Sequence, residues 1–471
     1  MRKTKIICTL GPAVESLEML RELILNGMDC ARLNLSHGDH QEHLGRIEKI
    51  KKLREELHIP IPLLLDTKGP EIRLGKFEGG AIQIDKGQRF TFAPNDKLIG
   101  SKDIVGITYP SLHNNVNKGT IILVDDGKVG FEVIEIVDEL IVCKATNSGR
   151  LSDRKSINVP NTVIDMPYMS DKDKSDLLFG ISQDVDFIAA SFVRTVEDVQ
   201  ELRTFLNANG GEKIKIISKI ENSQGIKNLD AIIRLSDGVM VARGDMGVEV
   251  PFRELPAIQK EIIKKCYRAG KHVITATQML ESMTKSPRPT RAEVSDVANA
   301  IYDGTTVIML SGETAMGDYP IESVRTMAEI AETTEASINY RKRFDANHLD
   351  LGFAVMSAVA NAACNSANQL NAKAIIAVTN KGVTAQTIAN YRPNSPIIGA
   401  TPNAKTARQL NLSWNVKPII IDPISSTDES FENAISKAVE ENLIVKDDMV
   451  VMSCGVKKSD LQTGIIKIHK V

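Results

Sequence analysis

The stretch KIKIISKIENSQG, residues 213–225, is a run of apolar β-branched residues that carries Lys219 and Glu221 two positions apart. A strand turns residues i and i+2 to the same side, so two opposite charges share one face of an otherwise apolar ribbon. An unpaired ammonium buried there would be costly. Its partner is either Glu221, in an internal salt bridge, or a ligand that both groups straddle. Neighbours at i, i+2 stand about 6.5–7 Å apart, which suits the straddled ligand at least as well. A phosphoryl group is the natural candidate, with Arg32 and Arg73 as further cations, because phosphoryl transfer is catalysed largely by positioning and by neutralising charge on the equatorial oxygens.

Glu221 and Asp245 are hard oxygen ligands of the kind that suits Mg2+ keeping several waters for substrate oxygens. Taken singly, each reads better as a helix N-cap in ENSQGIKNLD or GDMGVEVPF; the coincidence of both with Lys219 reverses that preference in favour of the metal. Gly244, Asp245, Met246 and Gly247 form a glycine-flanked turn whose amides could hold a carboxylate. Thr277 could bond a ligand or orient water, although its hydroxyl is too weak an acid to donate a proton unaided; the plainer reading is a buried threonine bonded to backbone. Asn34, Ser36, Asp66 and Thr67 offer oxygens that a monovalent cation accepts, or simply turn chemistry in NLSHGDH.

These residues need elements to hold them. Short apolar runs, each ending in a polar or glycine-rich tip and followed by a helical pattern, recur as TKIICTLG, MDCARLNLSHG, IPLLLDTKGP, VDFIAASFVR, IKIISKIENSQ, GVMVARGDMG, HVITATQML and TTVIMLSGETA. Eight such βα units suggest an α/β fold, a (β/α)8 TIM barrel, in which the strands' C-terminal ends form the active site. Those ends deliver Arg32, Asn34, Ser36 and His37; Asp66, Thr67 and Arg73; Lys219 and Glu221; Arg243 and Asp245; Thr277; Ser311 and Glu313. Gly27 and Gly270 stand where C-cap glycines belong.

About a hundred residues separate the third and fourth runs. There AIQIDKGQRFTFAP, GTIILVDDGKVGFEVIEIV and ELIVCKAT alternate at period two around glycine-rich turns. The expectation is a barrel over 1–69 and 168–340, an inserted small β-barrel over 70–167 that moves most readily, and a C-terminal αβ unit over 350–471 with strands in AKAIIAVT, SPIIGAT, VKPIIID and DDMVVMS.

Composition excludes several classes. With 58 basic and 60 acidic side chains among 471 residues, there is no basic field for non-specific nucleic-acid binding. The six cysteines are scattered without metal-ligand spacing, which predicts packed, reduced thiols and a cytoplasmic setting. No signal-like leader and no apolar run of ~18 residues occurs, so neither secretion nor a membrane is expected. A P-loop and a Rossmann glycine turn are both missing, so any nucleotide is held without them.

ARLNLSHG (31–38), LLDTKGPEIR (64–73), IISKIENSQGI (216–226), MVARGDMGVEVP (240–251), TATQMLESM (275–283), PRPTRAEVSDVANA (287–300) and MLSGETAMGDYP (309–320) closely resemble, in order, the signatures of the pyruvate kinase family. The resemblance covers the whole barrel and implies transfer of the phosphoryl group of phosphoenolpyruvate to ADP, giving pyruvate and ATP in glycolysis, by a cytoplasmic homotetramer. It further implies that Lys219 stabilises the transferring phosphoryl group and that Glu221 and Asp245 hold Mg2+ or Mn2+. Gly244 and Asp245 amides with Thr277 would bind the substrate carboxylate, and Arg32 and Arg73 would contact phosphates. Asn34, Ser36, Asp66 and Thr67 would bind K+, with Glu71 at the position that accompanies K+ dependence. Asn34, His37, Arg73, Asp125 and Lys155 would meet the nucleotide, and Thr277, Ser311 and Glu313 would lie near the route of enolate protonation.

Two segments depart from the family pattern. VTNKGVTAQ, 378–386, lacks the usual Ser-Gly pair of an effector loop, so a sugar-phosphate activator would have to rely on Thr379, Lys381 and Thr384. CGVKKSDLQTG, 454–464, is not the family's glycine-rich closing loop. The sequence ends at Val471, short of the extra C-terminal domain of some bacterial members. A Mg2+-dependent lyase acting on an oxoacid and a catalytically silent metabolite sensor are the competing readings; turnover of phosphoenolpyruvate with ADP separates all three.

Overall fold

A computed structural model describes residues 2–345, 349, 355–423, 426–456 and 463–471. Eight parallel strands close into a barrel: β1 (Lys5–Thr9), β2 (Cys30–Asn34), β3 (Leu63–Asp66), β4 (Phe187–Ala190), β5 (Lys215–Ile220), β6 (Gly238–Ala242), β7 (His272–Ala276) and β8 (Val307–Leu310). Each strand pairs with its successor, β3 reaching β4 across the insertion, and β8 closes on β1 through Lys5↔Val307 to Cys8↔Leu310. Strands buried on both faces are apolar at nearly every position, which is why all eight are visible in the sequence. Alternate residues separate the two cores. Ile7, Leu64, Phe187, Ile217, Met240 and Ile274 fill the interior, whereas Ile6, Cys8, Leu63, Ile216, Val239 and Val273 pack against the surrounding helices.

The helices begin and end on local chemistry. Ser170 with Asp173, Thr195 with Asp198 and Thr290 with Glu293 form capping boxes. Gly27 (φ +126°) and Gly270 (φ +64°) follow helix C-termini in the left-handed region, where glycine is unstrained.

The insertion folds as a curled sheet in the order Ile72–Arg73, Ser156–Asn158, Ile121–Val124, Val129–Val137, Leu140–Ala145, Arg89–Ala93, Ile104–Gly106, largely antiparallel. Its two edges meet: Gly75 N donates to Gly106 O (2.7 Å), Thr108 N donates to Arg73 O (2.9 Å), and a bridge joins Leu74 to Ile107. The inside holds Phe90, Phe92 and Phe131, ring centroids 5.2–5.5 Å apart.

In the C-terminal unit, Val416–Ile420, Ile397–Thr401, Ala374–Val378 and Met449–Val456 are parallel neighbours, and Thr463–Lys470 adds an antiparallel edge that the sequence reading did not include. This unit seals the barrel's amino-terminal end. Leu412 enters the interior core, Asn415 N donates to Lys3 O (2.8 Å), Lys5 Nζ donates to Val416 O (2.8 Å), and Arg408 Nε pairs with buried Asp186 (2.8 Å). All six cysteines are unpaired and buried. Among the described residues no helix is long and apolar enough to cross a membrane. Residues 457–462 of CGVKKSDLQTG lie outside the described residues.

Candidate active site

At the carboxyl ends of β2, β3 and β5 the polar residues form one buried network. Asp66 is its hub: Oδ2 accepts from Arg32 Nε (2.7 Å) and Oδ1 from Lys219 Nζ (3.0 Å). Arg32 is fixed at a second point by Thr9 Oγ1 (2.8 Å). Burial works to raise the Asp66 pKa, but Lys219 and Arg32 outweigh it and hold the carboxyl below its ordinary range. Burial likewise opposes the Lys219 ammonium, and Asp66 with Glu221 overcomes it and raises its pKa above the lysine norm.

Lys219 Nζ lies 3.0 Å from Glu221 Oε1, an ion pair. Strand spacing sets the separation of the Cα atoms, but two long side chains can bend together above the strand. The contact is off the angle of a directed hydrogen bond, so Glu221 Oε1 is buried without a hydrogen-bond donor among the described residues. Glu221 Oε2 accepts from the Phe192 amide (2.6 Å). Burial pushes the Glu221 carboxyl up to about 7, with Lys219 opposing and nearby Asp245 adding. Burial also raises the Asp245 pKa.

Neither carboxylate is a cap. Asn222 caps the helix after β5, accepting from Gly225 N (2.7 Å), and the helix Arg243–Glu249 has Ala242 at its N-cap with no side-chain bond. Asp245 lies in that helix's first turn. Thr277, the residue after β7, has φ +72° and Gln278 follows at +54°, an unusual conformation for a β-branched residue that costs about 1–3 kcal/mol and persists only where surroundings impose it. Arg243 imposes it, donating to Thr277 O (2.6 and 3.1 Å) while pairing with Asp296 (2.6 Å). Gly244 sits against Thr277; a Cβ there would stand 3.0 Å from Thr277 Cγ2.

Glu313 is fully buried with both oxygens committed, Oε1 to the Leu280 amide (3.0 Å) and Oε2 to the Ser311 amide (2.7 Å). It therefore ties the loops after β7 and β8 together. Asn34 pairs with Asp66 in register, and its Oδ1 accepts from the Ser36 amide (3.1 Å). Thr67 Oγ1 accepts from Ser191 N (3.2 Å), and His37 is exposed.

Other sequence candidates lie apart from this network. Arg73, on the inserted sheet, pairs with Glu71 (2.8 Å) and donates to Arg154 O (2.8 Å), not to the Lys219 cluster. Asp125 (φ +53°) pairs with Lys155 (2.9 Å) and Lys128 (3.2 Å) at a turn of the same sheet. That turn approaches the helix Arg243–Glu249: a Cβ on Gly127 would lie 3.7 Å from Val248, and Asn158 Nδ2 donates to Glu249 (3.0 Å). Thr379, Lys381 and Thr384 lie in the C-terminal unit, where Thr379 Oγ1 accepts from Gly382 N (3.0 Å).

Ser191 was not among the expected residues. Its hydroxyl accepts from Lys219 Nζ (2.7 Å) and stands within bonding reach of Asp66 Oδ1 (3.1 Å) and Thr67 O (2.6 Å). A polar residue at the end of the all-apolar strand β4 was the available signal.

The barrel, its inserted sheet and this strand-end network can be set against known proteins. The family model described as "Pyruvate kinase, barrel domain" matches residues 1–324, and "Pyruvate kinase, alpha/beta domain" matches 357–469. The chain belongs to the pyruvate kinase family. It is 49% identical to a pyruvate kinase of Clostridium acetobutylicum, covering 100% of both chains. It is 47% identical to that of Sporosarcina psychrophila, covering 100% of this chain and 81% of the relative. A crystal structure of a pyruvate kinase from Cryptosporidium parvum matches with TM-score 0.94 and 41% identity over 100% of this chain and 96% of that one. Its enzyme class is accordingly that of the pyruvate kinases.

Proposed function

We propose that the chain moves the phosphoryl group of phosphoenolpyruvate to ADP with Mg2+ (or Mn2+) and K+ as cofactors, and that the strand-end network performs the transfer. The observation that supports this most directly is the Lys219 ammonium, largely enclosed beside Glu221 Oε1, a buried carboxylate oxygen with no hydrogen-bond donor among the described residues. Such an oxygen fits a divalent cation, and with Asp245 it makes a two-carboxylate site that leaves room for water and phosphate oxygens. A divalent ion held by Glu221 and Asp245 supplies charge neutralisation and a template for the phosphoryl oxygens.

The protein's own groups do the rest. Lys219 turns from Glu221 toward the transferring phosphoryl group and neutralises charge on its equatorial oxygens. Arg32, held at two points, presents a fixed guanidinium to the phosphate. The amides of Gly244 and Asp245, with Thr277, hold the substrate carboxylate and so orient the enol oxygen. Asn34, Ser36, Asp66 and Thr67 carry the oxygens for K+. Asn34, His37, Arg73, Asp125 and Lys155 meet the nucleotide when the inserted sheet closes over the barrel. Thr277 and Ser311 lie where the enolate receives its proton, and Glu313 is a positioning residue for Ser311.

On the same reading the domains are 1–69 with 168–340, 70–167, and 350–471; the enzyme is a cytoplasmic homotetramer of glycolysis; and an activator would bind near Thr379, Lys381 and Thr384. Pyruvate formation in a coupled assay is expected to fail when Mg2+, K+ or ADP is omitted singly. Lys219→Met should abolish phosphoryl transfer yet retain Mg2+-dependent proton exchange at the pyruvate methyl. Near-normal ADP phosphorylation by that variant sinks the assignment.

A further inference from the structure

At the opposite end of the barrel from Lys219, a cavity of about 200 Å3 opens between the amino ends of β5 to β8 and the C-terminal unit. One water needs only about 15 Å3 on this measure, so the space is far larger than a hydration site. Lys215, Lys271 and His272 line it from the barrel, and Arg392 and Gln386 from the C-terminal unit. Three cations face a single carboxylate, Asp237, which already accepts from the Ile216 amide (2.9 Å) and Arg203 (3.3 Å).

Arg392 is buried, and its polar contacts are neutral: Nη2 donates to Gly304 O (2.9 Å) and Thr306 Oγ1 (3.4 Å). Its guanidinium lies over the rings of Trp414 (4.5 Å to the centroid) and Tyr267 (5.3 Å). Lys271 Nζ donates to Ser236 O (2.7 Å). Gln386 Nε2 and Tyr267 Oη are buried without a hydrogen-bond partner among the described residues. Burial lowers the Lys215 pKa and brings that of Arg392 down to about 10; at His272 burial and the three neighbouring cations bring it to about 3.

Confined positive charge in excess of its counter-charge is unfavourable. Water can accept from these donors but cannot neutralise them. A ring-backed guanidinium, two ammonium groups and a free amide N–H together form the donor set that recognises phosphate. We propose that this cavity binds a small phosphate anion, inorganic phosphate or a phosphomonoester, at a site separate from phosphoryl transfer.

The proposal is tested by titrating the full-length protein with inorganic phosphate and, separately, glycerol 3-phosphate, using calorimetry and thermal melting, with phosphoenolpyruvate and Mg2+ filling the barrel site and chloride at matched ionic strength as control. At least one anion should bind and raise the melting temperature where chloride does not; the tighter of the two identifies the source. Lys215→Met should weaken that binding roughly tenfold or more, as expected for one charge-assisted hydrogen bond, while leaving kcat unchanged and raising the melting temperature of the anion-free protein. Gln386→Glu places a carboxylate in the cavity and should abolish the anion's stabilising effect. Absence of binding, or binding of equal strength in both variants, overturns the proposal.

Discussion

The Ser191 hydroxyl has one proton to give, so it donates either to Asp66 Oδ1 or to Thr67 O while accepting from Lys219 Nζ. It thereby fixes where Nζ sits beside Asp66 and Glu221. Ser191→Ala is expected to lower kcat by roughly tenfold to a hundredfold and stability by about 1–3 kcal/mol, with the KM for ADP held. Steady-state kinetics beside urea denaturation checks this; an unchanged kcat would leave Ser191 a purely structural role. At this scale the sequence was legible in kind but not in contact. Lys219, Glu221 and Asp66 are recognisable as charges that need partners, yet spacing along a strand does not show how side chains bend. Arg73 and Lys219 read as one phosphate cluster and lie on different sheets, because distance along the chain says little about how the insertion sits over the barrel.

The strand ends are shaped by loops under strain. β7 stops just before Thr277, where Arg243 and Asp296 hold a left-handed threonine in place. Thr277→Gly is expected to leave stability within about 1 kcal/mol, because relief of the positive φ (about 1–3 kcal/mol) offsets glycine's greater unfolded-state freedom (about 0.5–1 kcal/mol). Phosphoenolpyruvate turnover should collapse in the same variant, since the hydroxyl is gone. Melting curves paired with the coupled assay separate the two effects, and loss of fold together with activity would refute a strain stored for function. The eight barrel strands and the period-two strands of the insertion were legible because burial on two faces, or on one, writes a pattern of apolar residues. The edge strand Thr463–Lys470 was not: TGIIKIHK has one neighbour only, and its lysines and histidine blur the alternation.

The whole molecule is organised around a barrel with two different ends. The buried polar network gathers at the carboxyl ends of the strands. The amino ends rest on the C-terminal unit, which places Leu412 in the interior core and sets Arg408 against Asp186. Leu412→Ala should cost about 2–5 kcal/mol, the range for emptying a buried leucine site, while leaving the KM for phosphoenolpyruvate near its starting value. Differential scanning calorimetry with kinetics decides it; a cost below that range would mean that the barrel interior closes without this side chain.

The floor that Leu412 completes also orders events in time. A ribosome delivers the chain from its amino end, and β1 has no β8 partner until about three hundred further residues are made. Leu412 arrives later still, after the inserted sheet, whose strands pair only with one another within 70–167, has had time to fold. Until then the interior core lacks Leu412, so the barrel is completed by a segment made after all eight of its strands.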